Sequence, residues 1–213
     1  MNSKELRTSP ALLRNAYPCT KEHGIPIIQA DTLHRIDRML SFHDIRKDDP
    51  MAKEIDILVH FFKDDNKFEY MYRDAFGRNG ESKVTQLAQY TAVCTPDFSL
   101  YPDMPYPIQL DQVFKNRWCG AHWQAAGLNV LPTISWGDES SYDFCFEGVP
   151  AHATVVVSTV GCQKSRRQFL AGYDEMLNRL QPETIICYGN PFQEMDGNIL
   201  SYPYSAFRKG EFA

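Results

Sequence analysis

Apolar and polar positions along this chain follow two periods. Short runs rich in Val, Ile, Cys and aromatic residues occupy 55–62, 90–98, 130–136, 153–159 and 184–188, and read as buried strands. Between them the apolar residues fall at helical spacing. The clearest helix is 163–180, with Phe169, Leu170, Tyr173, Met176, Leu177 and Leu180 on one side. A second spans 105–126: Ile108, Val113, Phe114, Trp118 and Ala121 supply its apolar face, Pro107 suits a first turn, and Gly127 closes it. Residues 68–88, interrupted by Gly-Arg-Asn-Gly at 77–80, predict a broken helical crossover. Upstream, 24–29 reads as a short strand, and Asp31 as the N-cap of an amphipathic helix carrying Leu33, Ile36 and Leu40. Residues 1–23 predict an irregular polar arm. Pro132 deprives its strand of a ladder donor, which places that strand at an edge or makes it locally irregular.

Strands alternating with helices predict a parallel sheet with right-handed crossovers. A complete eightfold barrel typically needs ~250 residues. The expectation for this chain is an α/β fold with a parallel sheet of about six strands. It is either an incomplete, TIM-barrel-like arrangement or an open doubly wound sheet. Neither linker, repeat nor low-complexity tract divides the chain, so a single domain over 1–213 is expected. In both architectures the carboxyl ends of the strands share one rim, where ligands bind. The runs end in His60 with Asp64 and Asp65, Asp97 with Ser99, Ser135 to Glu139, Ser158 to Cys162, and Tyr188 to Asn190. The topology therefore gathers polar groups that lie far apart in the chain.

A net charge of −5 provides no overall cationic field for nucleic acid or an anionic membrane. Two compact basic groups remain, Lys164 with Arg166 and Arg167, and Lys115 with Arg117, each read first as a solvated helix face. The start, Met1 to Arg7, is polar and predicts no signal peptide, and no apolar run approaches the ~20 residues of a membrane span. A cytoplasmic protein is expected. The six cysteines show no C-x-x-C pair or metal-finger spacing. They read as reduced and structural, except Cys162, whose position before a helix would lower its pKa.

The most interpretable chemistry lies in Ser158-Thr159-Val160-Gly161-Cys162-Gln163-Lys164. A strand ends there, and a hydroxyl-bearing loop leads into a helix with basic first turns, a pattern that suits a phosphate or carboxylate. Walker A spacing is missing. Asp97 follows an apolar strand between Pro96 and Pro102, where a rigid carboxylate serves as base, nucleophile or metal ligand; an Asx turn is the plain alternative. His60 would be its acid–base partner, although a lone His in an apolar strand is more often a core residue. An inward-pointing Arg117 would need a carboxylate such as Asp97 or Asp103. Trp136 offers a stacking surface, with Ser135, Asp138 and Tyr188 beside it on the rim; Asp138 also suits a helix cap. No metal site is predicted, because the required ligand spacing is missing. The cofactor is left open.

Several segments resemble an uncharacterised bacterial and phage family, domain of unknown function 4417. They include Val59 to Phe62, the quite specific Thr95 to Pro105 stretch, Asn116-Arg117-Trp118, Pro132 to Trp136, Ser141 to Phe146, Ser158 to Cys162 and Ile185 to Gly189. The resemblance implies a phage or mobile-element setting and no reaction. A fainter similarity leads to the barrel of the deazaguanine and queuine transglycosylases, which use an Asp nucleophile on nucleic acid. This chain lacks their zinc-ligand cysteines.

The reading is a protein that binds a nucleotide, another phosphorylated ligand or a nucleic-acid end at the rim. Asp97 and His60 would do the chemistry, Arg117 orient Asp97, and Ser158, Thr159, Gly161 and Lys164 hold the anion. The alternative is a non-catalytic anti-defence or interaction protein that sequesters a nucleotide or blocks a host protein.

Overall fold

Strands form inside each of the five Val- and Ile-rich runs, and all but the last are shorter than their runs. The computed structural model describes residues 17–30 and 35–204. In chain order the elements are β1 (Arg38–Ser41), β2 (Ile57–His60), α1 (Tyr70–Arg73), α2 (Arg78–Leu87), β3 (Ala92–Cys94), α3 (Tyr106–Ala125), β4 (Val130–Leu131), β5 (Thr154–Ser158), α4 (Arg166–Leu180), β6 (Thr184–Tyr188) and β7 (Ile199–Tyr202). Short 3₁₀ turns fill several connections.

The fold is α/β and its strands run parallel, as expected, but their grouping differs. Seven strands among the described residues make two sheets, β1-β2-β3-β4 and β5-β6-β7, each in sequence order. Every pair within the sheets is parallel. The upstream expectation also fails. Residues 38–41 are a strand beside β2, so Leu40 is a sheet residue and not part of a helix; Asp31 and Leu33 lie outside the described residues. Residues 24–29 contribute only an antiparallel bridge between Cys19 and Pro26. Of the expected polar arm, residues 1–16 are likewise outside the described residues.

Pro132 explains the division into two sheets. Thr95 N–H still donates to Leu131 O at 2.9 Å, the last rung between β3 and β4. Pro132 has no N–H to continue the ladder. Beyond it the chain turns to β5: Val156 N–H donates to Pro132 O at 2.9 Å and Ile134 N–H to Val156 O at 2.8 Å. Side chains complete the seam. Thr133 N–H donates to Thr95 Oγ1 at 2.8 Å, and Thr133 Oγ1 donates to Thr95 O at 2.7 Å.

Two apolar clusters cover the faces. Val156, Ile186 and Tyr188 share the cluster of β1–β4, together with Trp118 and Trp123 of α3. Val155, Val157, Ile185 and Cys187, on the alternate positions, pack instead on Phe169, Tyr173, Met176 and Leu180 of α4. Both faces of β5 and β6 are thereby removed from water, the usual condition of parallel sheets, whereas edge strand β7 leaves Leu200 exposed. Tyr202 of β7 reaches back to donate to Ile36 O at 2.8 Å.

Candidate functional site

The carboxyl ends of β3, β4 and β5 open into one cleft of about 300 Å³, lined by Asp97, Ser99, Ser135, Trp136, Ser158 and Cys162. Phe62, Leu100, Tyr101, Ile134 and Phe169 give it an apolar and aromatic wall. Four of the residues expected to act on or bind a ligand, Asp97, Ser135, Trp136 and Ser158, therefore meet, together with Ser99, Val160 and Cys162 of the same rim.

Asp97 is half-buried. Desolvation, then the nearby Asp65 carboxylate, push its pKa up to about 7, while a hydrogen bond with Ser135 pulls the other way. A carboxyl group tuned to neutrality can give or take a proton. Asp65 is held in place: it accepts from Ser99 N–H at 3.1 Å, Ser99 Oγ at 2.9 Å and Gln112 Nε2 at 3.2 Å. The pairing of two carboxylates, one fixed and one raised, was not an explicit expectation, although both residues stood on the predicted rim.

Trp136 forms a wall of the cleft. Its indole lies against Phe169, centroids 5.1 Å apart, and over Gly172, where a Cβ would come within 2.3 Å of the ring. The helix tolerates a glycine there because only glycine admits the indole. Cys162 also faces the cleft, but burial and the Asp97 charge raise its thiol pKa, contrary to the lowering expected at a helix start. Its Sγ lies 3.7 Å from Ser158 O and 3.8 Å from Val160 O. No disulfide joins any two of the six cysteines.

Other expected members lie elsewhere. Arg117 is 1% exposed, and its guanidinium meets no carboxylate among the described residues. It donates to Thr133 O at 3.0 Å, Cys145 O at 2.8 Å, Glu147 O at 3.1 Å and, closely, Asn116 Oδ1. Its pKa falls to about 10 through burial. Oxygen acceptors, three of them backbone carbonyls, satisfy the buried cation, so it pins α3 to the seam and does not orient Asp97. Asp138 caps the 3₁₀ turn Glu139–Asp143 through Ser140 N–H at 3.1 Å, the plain reading. Lys164 lines a separate open recess of about 750 Å³ with Asp138, Ser140, Arg167 and Gln168.

The loop hydroxyls are already engaged. Ser158 Oγ donates to Tyr188 O at 3.2 Å and accepts from Val160 N–H at 3.2 Å, and Thr159 Oγ1 donates to Asn190 O at 2.9 Å. Gly161 takes φ +83°, a conformation that side chains other than glycine's disfavour. The expected anion set of Ser158, Thr159, Gly161 and Lys164 thus does not converge on one point.

His60 and Tyr188 face a third recess of about 200 Å³. Their rings are 4.2 Å apart, and Phe62 stacks on both, at 5.4 Å and 5.3 Å. Phe62 also lines the Asp97 cleft, so its ring is a shared wall between Asp97 and His60. Burial, then Lys63, lower the His60 pKa to about 3, and the ring is neutral at neutral pH. Away from the rim, Glu22, His23 and Glu147 come within metal-ligand reach. Both His23 nitrogens are engaged there, by Glu147 at 2.7 Å and Tyr106 at 3.1 Å.

No helix among the described residues is long and apolar enough to cross a membrane. The chain matches the family described as a domain of unknown function, DUF4417, over residues 17–204, and it belongs to that family. It is 34% identical over 180 residues to the Gene 1 protein of Mycobacterium phage D29, covering 83% of this chain and 64% of that protein. To the Gene 1 protein of Mycobacterium phage L5 it is 39% identical over 134 residues, 62% of this chain and 56% of that protein. The chain thus spans less than two thirds of these curated relatives. No solved structure matches it.

Proposed function

We propose that this member of the DUF4417 family, a phage-type protein, binds a nucleotide or similar phosphorylated ligand at the strand rim and acts on it through Asp97. The observation that carries this reading is the cleft at the ends of β3, β4 and β5, where a carboxyl group with a pKa near 7 faces hydroxyls and aromatic rings. Aromatic walls with a few placed polar groups suit a base and sugar. Asp97 would donate or accept the proton of a transfer or hydrolysis step. The seam at Pro132, the shared core cluster and the Tyr202–Ile36 bond favour a barrel-like curl that turns the strand ends toward one mouth.

Mass spectrometry of small molecules that copurify with the full chain tests this reading, followed by incubation with a nucleotide panel. Retention and conversion of a nucleotide, with conversion lost in Asp97→Asn, is the expected result. Unaltered return of a tightly held nucleotide would favour the rival, a sequestering module. Full turnover by Asp97→Asn would remove the mechanism.

A further inference from the structure

Three strands drawn from both sheets end at the third recess. Ser41 closes β1, His60 closes β2 and Tyr188 closes β6, and all three side chains line it. Ser41, His60 and Tyr188 are 6%, 1% and 5% exposed. His60 Nδ1 accepts from Phe62 N–H at 3.3 Å. In the neutral ring the proton therefore sits on Nε2, and Nε2 has no hydrogen-bond partner among the described residues. The Tyr188 hydroxyl is likewise without one. Both groups line the recess and are open there to an acceptor.

Cations stand at the mouth. Lys63 and Lys67 line the recess, are exposed, and form no ion pair among the described residues. Asp44, Asp64 and His43 also border it, so the attraction is local.

We propose that this recess is a phosphate-binding subsite. A phosphoryl group there accepts from His60 Nε2–H and from the Ser41 and Tyr188 hydroxyls, while Lys63 and Lys67 balance its charge. Tetrahedral oxygens can use donors arriving from several directions, and charge-assisted bonds are the strong ones. The inference rests on the ligand reading above and deepens it. Among the described residues no cation lines the main cleft, and the Asp65 carboxylate stands near Asp97, so an anionic end is disfavoured there. A ligand crossing the Phe62 wall would keep its ring system beside Asp97 and its phosphate beside His60.

Titration of the full chain with inorganic phosphate, read on the His60 imidazole signals by NMR at constant ionic strength, tests the subsite. A saturable shift is expected, weakened about tenfold or more in Lys63→Ala/Lys67→Ala, as for removal of two charge-assisted contacts. Those lysines are exposed, so the variant is expected to fold. The same titration of Lys164→Ala should give an unchanged midpoint. A signal that ignores phosphate, an equal response to chloride, a response unaltered in the double variant, or one lost in Lys164→Ala would each overturn the assignment. The two claims fail separately. Phosphate binding without any nucleotide retention leaves the subsite standing and removes the ligand reading. Nucleotide retention that survives the double lysine substitution, with the His60 signal still, does the reverse.

Discussion

Asp97 and His60 carry opposite protonation penalties, and their opposition predicts how stability follows pH. Asp97 titrates near 7 when folded and near 3.8 when unfolded, so between those values the folded state holds the extra proton. Stability contributed there falls as pH rises, by roughly 1.4 kcal/mol per pH unit. His60 titrates near 3 when folded and 6.5 when unfolded, so in that window the unfolded state holds the extra proton. Its contribution rises with pH by roughly the same slope. The two largely cancel between about pH 4 and 6.5. Denaturant unfolding across that range should show Asp97→Asn gaining on the parent chain as pH rises, and His60→Gln losing ground. Differences independent of pH would show that neither group is perturbed as described. Both residues were visible in the sequence as polar ends of apolar strands. Their separation was not, because it depends on Phe62 turning its ring between them. Arg117 illustrates another limit: a buried guanidinium can be satisfied by backbone carbonyls, and the sequence does not announce which carbonyls face it.

At the scale of elements, the seam at Pro132 brings Ser135 to Asp97. The proline signalled an edge or an irregularity, and the structure makes it both: β4 ends its sheet there, and the next residues pair with β5. Thr95 and Thr133, 0% and 1% exposed, replace the missing rung with side-chain hydrogen bonds. Thr95→Val keeps the shape but leaves the Thr133 N–H without its acceptor. A loss of about 1–3 kcal/mol is expected by chemical denaturation. The same substitution should loosen Ser135 and so shift the Asp97 titration seen by NMR. No loss of stability would mean that the threonine pair is dispensable and the seam is held by Asn116 and Arg117. The long helices α3 and α4 were legible because their apolar spacing persists over several turns. Residues 38–41 carry helical spacing with Leu33 and Ile36, because a short strand offers too few positions to separate period 2 from period 3.6. The short strand β7 carries no distinct period for the same reason.

At the scale of the molecule, two sheets share one apolar cluster, and this decides whether they unfold together. Val156, Ile186 and Tyr188 of the second sheet lie among the side chains of the first, so separating the sheets exposes apolar surface on both. The tryptophans are placed to report on this. Trp118 and Trp123 belong to the first cluster, and Trp136 packs against the second. A chain with one cooperative core should give superimposable unfolding curves from a variant keeping only Trp136 and from one keeping only Trp118 and Trp123. Hydrogen exchange should assign β2 and β6 the same opening free energy, since His60 and Tyr188 pack ring against ring at their ends. Staggered transitions would mean that the sheets are separate units. The rim cleft, which draws Asp97 from one sheet and Ser158 from the other, would then be a hinge between them. Coincident transitions would instead make the cleft a preorganised site, as the proposed proton transfer by Asp97 requires.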